Sequence, residues 1–355
     1  MYWPTPQYSR SQVTKAGQIL ISPSRSMREL VWAIRVLSNW RACHNYPVNT
    51  FQATLRAKLK KVDQGAIVAQ RIKRMPSIVS KLQRFDQMNL ARMQDIGGLR
   101  AVVGTLNKAR QLEESYITGG RLKHKLVQLK DYIKFPKSSG YRSIHLVYKY
   151  KNPKADQYND LLVELQIRTK LQHAWATSVE TMGTFLEHSL KSSEGPEEWL
   201  QFFSLTGSAF ALLESCPPVT EFEHLSKEET FIQTLQEYRR LGVQEKLSAY
   251  SIATRSIISD NSRGSYHLIL LYPKEQKVAI RGYSQQRLDE ANEEYMRVEK
   301  RIASGESIQA VLVSAGSISA LKKAYPNYFL DTQAFFRHMK RIEDNVIGKN
   351  GKWLL

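Results

Sequence analysis

Residues 163–169 read Val-Glu-Leu-Gln-Ile-Arg-Thr, an apolar–polar alternation that predicts a strand with one acidic residue inside it, and the run from Thr169 onward predicts a long helix. Upstream, residues 137–145 read Lys-Ser-Ser-Gly-Tyr-Arg-Ser-Ile-His, a Gly-Tyr turn ringed by cations. Together they offer what a nucleotide site needs: a ring to stack a base, positive charge for phosphates, and a carboxylate for a metal.

The neighbouring segments extend this into a sheet. Residues 66–73 alternate as a strand, and Pro76 at a first-turn position opens a helix through Phe85. Strands are predicted over 99–103, 144–150 and 161–167, with a helix over 106–118. Leu30, Val31, Ile34, Leu37 and Trp40 recur near helical spacing, so 26–46 and 51–62 read as packing helices that stop before Gly65. Strands interleaved with helices mean a mixed α/β (α+β) sheet.

After residue 242 the organisation changes. A hairpin is predicted from 267–272 and 277–283, then a charged helix over 288–304, a strand over 309–313 and a helix starting near Ser317. The expected division is a first domain over 1–242, a linker over 243–265 and a small second α/β domain over 266–355.

Composition excludes several classes. No apolar run approaches the roughly 20 residues of a bilayer span, and the polar, proline-bearing start lacks a signal-peptide core, so a cytoplasmic, non-membrane protein is expected. Cys43 and Cys216 are too few for a disulfide framework or a cysteine zinc site and are expected to be buried. The net charge of +19 is uneven: residues 1–243 carry 35 basic against 21 acidic residues, and 244–355 carry 17 against 12. Such an excess attracts polyanions, although a solvated basic surface is the alternative.

Five blocks then occur in order: Arg-Ile-Lys-Arg-Met-Pro-Ser-Ile-Val-Ser-Lys at 71–81, Asp-Ile-Gly-Gly-Leu-Arg at 95–100, Lys-Asp-Tyr-Ile at 130–133, Pro-Lys-Ser-Ser-Gly-Tyr-Arg-Ser-Ile-His at 136–145 and Glu-Leu-Gln-Ile-Arg at 164–168. This series resembles the synthetase domain of the RelA/SpoT alarmone family. The resemblance implies a nucleotidyltransferase-like fold that moves pyrophosphate from ATP to a 3′-hydroxyl and releases AMP. It assigns Arg71, Lys73, Ser77 and Lys81 to the ATP phosphates and adenine side, with Lys130 and Lys137 adding charge around the triphosphate. Periodicity agrees: Arg71 and Lys73 share a strand face, and Ser77 and Lys81 share a helix face. Asp95 and Glu164 are the implied Mg²⁺ ligands, and Glu164 is also a candidate general base. Tyr141 is implied to stack on the acceptor base, beside Arg142, His145 and Gln166; Arg100 is similarly placed after Asp95.

No His-Asp dipeptide occurs, so the metal-dependent hydrolase half of the long family members is not expected. Residues 324–329 read Ala-Tyr-Pro-Asn-Tyr-Phe, and a synthetase followed by a small unit with such a Tyr-x-x-Tyr element resembles the CapRel type of fused toxin–antitoxin, in the toxic small alarmone synthetase subgroup. That resemblance implies a C-terminal pseudo-zinc-finger domain that lays Tyr325 and Tyr328 over the donor site until a phage major capsid protein binds it. It also implies pyrophosphorylation of the tRNA CCA end by a monomer, in antiphage defence. Residues 244–355 hold no cysteine and only His267 and His338, which agrees with a finger-like fold without zinc. Arg56, Lys58, Lys60 and Lys61, or Arg121, Lys123 and Lys125, are candidate tRNA contacts. The alternatives are a small alarmone synthetase making (p)ppGpp or (p)ppApp, and a catalytically idle nucleic-acid-binding regulator.

Overall fold

The computed structural model describes residues 3–118, 122–186, 190, 194–247, 257–259, 265–272, 274–275, 277–314 and 332–347. Five strands form the first sheet: β1 (Ile67–Ile72), β2 (Gly97–Val103), β3 (Lys125–Asp131), β4 (Ile144–Lys149) and β5 (Leu162–Thr169), in the order β1-β2-β5-β4-β3. Only β2 and β5 pair in parallel, so the sheet is mixed, as the sequence predicts.

The period of two divides this sheet into an apolar and a polar face. Leu99 and Ala101 of β2, Val163, Leu165 and Ile167 of β5 and Ile144, Leu146 and Tyr148 of β4 are buried on one side. Helices α3 (Asn45–Val62) and α5 (Leu106–Ile117) pack there, supplying Phe51, Leu55 and Leu112 to the same core. Gly97 is required by this packing, because a Cβ would come within 2.7 Å of Val48 Cγ2 on α3 and 3.0 Å of His44 Cβ. Helices α1 (Arg10–Ile21) and α2 (Met27–Cys43) extend the core, and α4 (Met75–Arg84) follows β1 directly. Both cysteines are buried and free, as expected.

A helical layer follows the sheet: α6 (Lys170–Phe185), α7 (Glu197–Leu213) and α8 (Lys227–Arg240). Thr169 closes a capping box with Gln172, which fixes the β5–α6 junction. The layer buries Trp175, Trp199, Phe202, Phe210 and Phe231, and it presses α7 against the Gly-Tyr turn.

The second sheet contains β6 (Ile257–Ser259), β7 (Tyr266–Tyr272), β8 (Lys277–Tyr283) and β9 (Gln309–Ser314), in the order β6-β8-β7-β9, with α9 (Leu288–Ala303) against it. The expected hairpin is present, with Tyr272 opposite Lys277. The final described helix, α10 (Gln333–Val346), falls in the 266–355 span assigned by sequence to the small unit. It packs instead on α6, α7 and α8, where Phe335, Met339, Ile342 and Val346 join the core of the helical layer. The helix expected near Ser317, together with Tyr325 and Tyr328, lies outside the described residues. No described helix is long and apolar enough to cross a membrane.

Candidate active site

The polar face of the first sheet collects most of the residues singled out by sequence. Arg71 on β1 stands opposite Gly98 on β2, and Gly98 stands opposite Glu164 on β5. Gln166 stands opposite both Arg100 and His145, with Lys130 of β3 beyond His145. Opposed residues share a face, so two adjacent rows on that face bring cations, an amide and a carboxylate together. A Cβ at Gly98 would meet no atom nearer than 3.9 Å, so the floor between Arg71 and Glu164 is open.

Asp95 lies at the entry to β2 and holds two lysines. Lys73 Nζ, just past β1, donates to Oδ2 at 2.7 Å, and Lys81 Nζ on α4 donates to Oδ1 at 2.9 Å. Burial opposes charge on Asp95, but the two ammonium groups outweigh it and hold the carboxyl well below the usual carboxylate range. Burial also pushes Lys73 below the ordinary lysine range, with Arg71 adding to burial and Asp95 opposing it. Ser77 is half-buried on the first turn of α4, one turn before Lys81.

Glu164 anchors a second group. His145 Nδ1 lies 2.9 Å from Oε1, and Gln166 Nε2 donates to Oε2 at 2.7 Å. Because a carboxylate only accepts, Nδ1 carries the proton, and Nε2 on the other side of the ring lies 2.8 Å from the Tyr141 hydroxyl. Burial and the nearby charge of Asp95 raise the Glu164 pKa, yet His145 and Gln166 prevail and the net direction is down. Glu164 is therefore an ionised carboxylate held by donors on both oxygens.

Tyr141 is only 4% exposed, packed near Trp175 with its ring edge-on to Tyr132. Lys137 Nζ lies over both rings, 5.0 Å from the Tyr132 centroid and 5.4 Å from that of Tyr141. A base stacking on Tyr141 therefore requires Lys137 to move aside. Gly140 enables this turn: its φ is +85° and its backbone touches Gly207 on α7, where no side chain intervenes.

Arg142 does not join its neighbours. Strand alternation turns it away, to donate from Nη1 to Ile133 O at 3.1 Å, and burial lowers its pKa to about 10 despite Cys216 and Glu214 nearby. Of the basic clusters, Lys58 is committed to Ser115 O at 2.6 Å, and Arg121 lies outside the described residues.

Three features escape sequence reading. Half-buried Tyr132 sits 5.1 Å from the His145 ring; its presence in the 130–133 block is the signal that could have found it. Arg168 shares the face of Glu164 and Gln166 but is 1% exposed, and burial followed by Arg100 lowers its pKa to about 9. A cavity of about 390 Å³ opens beside Lys81 and Lys130, lined also by Arg92, Gln94, Gln128 and Asn89. Only the fold gathers the lining of this cavity from three separate segments.

Among the described residues, no group of three or more His, Cys, Asp or Glu side chains is arranged to hold a metal ion. Asp95 and Glu164 are near enough for the charge of Asp95 to raise the pKa of Glu164. Two carboxylate donors suit a hard divalent cation that draws its remaining ligands from water and phosphate oxygens.

Comparison with known proteins bears on this geometry. Residues 70–185 match the family described as the region found in RelA / SpoT proteins. The GTP pyrophosphokinase YjbM of Bacillus subtilis (strain 168) is 35% identical over 125 residues, which cover 35% of this chain and 54% of that protein. The GTP pyrophosphokinase YwaC of the same organism is 31% identical over 119 residues, covering 30% and 52%. The chain thus spans about half the length of the curated relatives it matches. The crystal structure of the small alarmone synthetase 1 from Bacillus subtilis is 27% identical, covering 49% of this chain and 89% of that one at a TM-score of 0.40. These similarities support a RelA/SpoT synthetase region within the chain. The matched region contains Arg71, Lys73, Ser77, Lys81, Asp95, Lys130, Lys137, Tyr141, His145, Glu164 and Gln166, the residues of the polar face described above.

Proposed function

We propose that the chain transfers pyrophosphate from ATP to the 3′-hydroxyl of a guanosine nucleotide. The observation that carries this reading is the Tyr141–His145–Glu164 hydrogen-bond chain, which faces the Lys73–Asp95–Lys81 cluster across one sheet face. The named activity of YjbM and YwaC supports the acceptor class.

The residues divide the work. Lys73, Lys81 and Lys130, with Ser77 and Arg71, bind the donor triphosphate, and Lys137 moves from the tyrosine rings to the charge that gathers on the transferred group. Glu164, ionised and oriented by His145 and Gln166, accepts the proton of the attacking hydroxyl. Tyr132 and Tyr141 form the acceptor's aromatic wall. Asp95 and Glu164 would hold Mg²⁺, which supplies neutralisation of the phosphate oxygens. For Asp95 to take part, one of its lysines must transfer to substrate.

A second reading, an autoinhibited enzyme acting on the tRNA CCA end and released by a phage capsid protein, is favoured by the charge of residues 1–243, net +14. Incubation with γ-labelled ATP and Mg²⁺, once with GDP or GTP and once with tRNA, separates the two. Label on the guanosine nucleotide supports the first reading; label on tRNA alone supports the second.

A further inference from the structure

Two residues outside the family-matched segment enter the turn that presents the donor lysines. Arg41 comes from α2 and Glu299 from α9 of the second unit, and they are 4% and 1% exposed. Arg41 Nη1 and Nη2 pair with the Glu299 carboxylate at 2.6 and 3.1 Å. The same two side chains hold the backbone: Arg41 Nε donates to Lys73 O at 2.9 Å, and Met75 N donates to Glu299 Oε1 at 2.9 Å. The Arg41 guanidinium also lies 5.4 Å from the ring centroid of Tyr295, another α9 residue.

The turn needs this support for a local reason. Arg74 occupies the N-cap of α4 and makes no side-chain capping bond, and Pro76 in the first turn has no N–H to offer. Glu299 therefore provides what the local sequence does not: an acceptor for the Met75 N–H and a negative charge at the positive end of the helix. Ser77 and Lys81 ride on that helix, and Lys73 enters it. A shift of the turn would carry the whole Lys73–Asp95–Lys81 arrangement with it.

We propose that Glu299 and Arg41 are positioning residues for the donor site, so that the second unit completes the ATP-binding turn rather than only covering it. This rests on the ATP-dependent reading above. Removing one partner leaves the other charge buried and unpaired, whereas a neutral pair of similar shape avoids that penalty. Glu299→Gln keeps an acceptor for Met75 N–H but removes the charge that pairs with Arg41 and sits at the helix start, and the double variant also removes the Arg41 bond to Lys73 O, so both loosen the turn.

The test uses the full chain with Mg²⁺ and α,β-methylene-ATP, a donor analogue that cannot react, titrated calorimetrically into wild type, Glu299→Gln, and the double variant Arg41→Met with Glu299→Gln. Thermal melting is followed on the same samples. The expected result is a dissociation constant raised by about tenfold or more in both variants, with KM for ATP raised alike and kcat at saturating ATP little changed. The double variant should melt closer to wild type than Glu299→Gln does, while its binding defect persists. Unchanged analogue binding in either folded variant would overturn the proposal and reduce the pair to a fold contact. Tighter binding or higher activity in Glu299→Gln would overturn it too, since the second unit would then be restraining the site. Wild type that binds no analogue would overturn the ATP reading itself.

Discussion

Gly207→Ala is a sharp test of the packing that supports the acceptor side, because two effects of opposite sign meet there. Gly207 lies in the interior of α7, where alanine should gain about 1 kcal/mol of helix stability if its methyl had room. It has none: the added Cβ would lie 2.8 Å from Gly140 Cα and 2.9 Å from Gly140 O, and these are backbone atoms. Gly140 cannot retreat easily. Its φ is +85°, and even a Cβ built on it would lie 3.0 Å from Phe203 O and 3.1 Å from the Trp175 ring, so there is little free space beside it. Trp175 is in turn fixed by donating Nε1 to Phe203 O at 2.9 Å, and Ser204 Oγ donates to Ser138 O at 2.5 Å. Overpacking of this kind costs about 1–3 kcal/mol, so after the propensity gain of about 1 kcal/mol we expect a net loss of up to about 2 kcal/mol. That loss lowers Tm by a few degrees, at about 2–4 °C per kcal/mol for a large domain. Urea titration measures it. Acceptor KM should rise as well, because the displaced turn carries Lys137 and Tyr141. A variant more stable than wild type by about 1 kcal/mol would show that propensity alone governs the site and would refute the close-packing argument.

Other substitutions probe the polar face. Glu164→Gln should abolish transfer while leaving the melting temperature near wild type; wild-type turnover would remove Glu164 from the proton path. Tyr141→Phe removes the hydroxyl that meets His145 Nε2 and should lower kcat by about tenfold with ATP binding intact, read by initial rates. Asp95→Asn should lose about 2–3 kcal/mol at neutral pH, less than a fully buried pair because the lysines keep some water. The pH dependence has a defined sign. Since folding depresses the Asp95 pKa, its contribution is complete above the ordinary aspartate value and disappears as pH falls through the native one. The stability gap between wild type and Asp95→Asn should therefore close in acid, and a gap independent of pH would contradict the ion-pair assignment.

The sheet was legible because its strands alternate and the starts of neighbouring elements carry glycine or proline, as at Gly97 and Gly98 opening β2 and Pro76 in the first turn of α4. Strand β3 was not, because a register shift between Leu126 and Gln128 breaks its alternation. Helix α1 was also missed, although Ser9 and Gln12 spell the capping box that starts it. The placement of α10 depends on which surface its Phe335–Met339–Ile342 stripe finds, and periodicity names a stripe without naming its partner. At the site, the cations and carboxylates were readable as residue types, but their pairing was not. Nothing in the chain order indicates that Lys73 and Lys81 share Asp95, or that Glu299 reaches Met75 across the fold. Arg142 shows the converse: adjacency to Tyr141 suggested a site residue, and alternation sends it elsewhere.

The most direct measurement identifies both products after incubation of the full chain with ATP, Mg²⁺ and GDP. Mass spectrometry should find AMP together with an acceptor heavier by two phosphate groups, and neither product with Glu164→Gln. Formation of ADP with an acceptor heavier by a single phosphate, or AMP made at the wild-type rate by Glu164→Gln, would contradict the account.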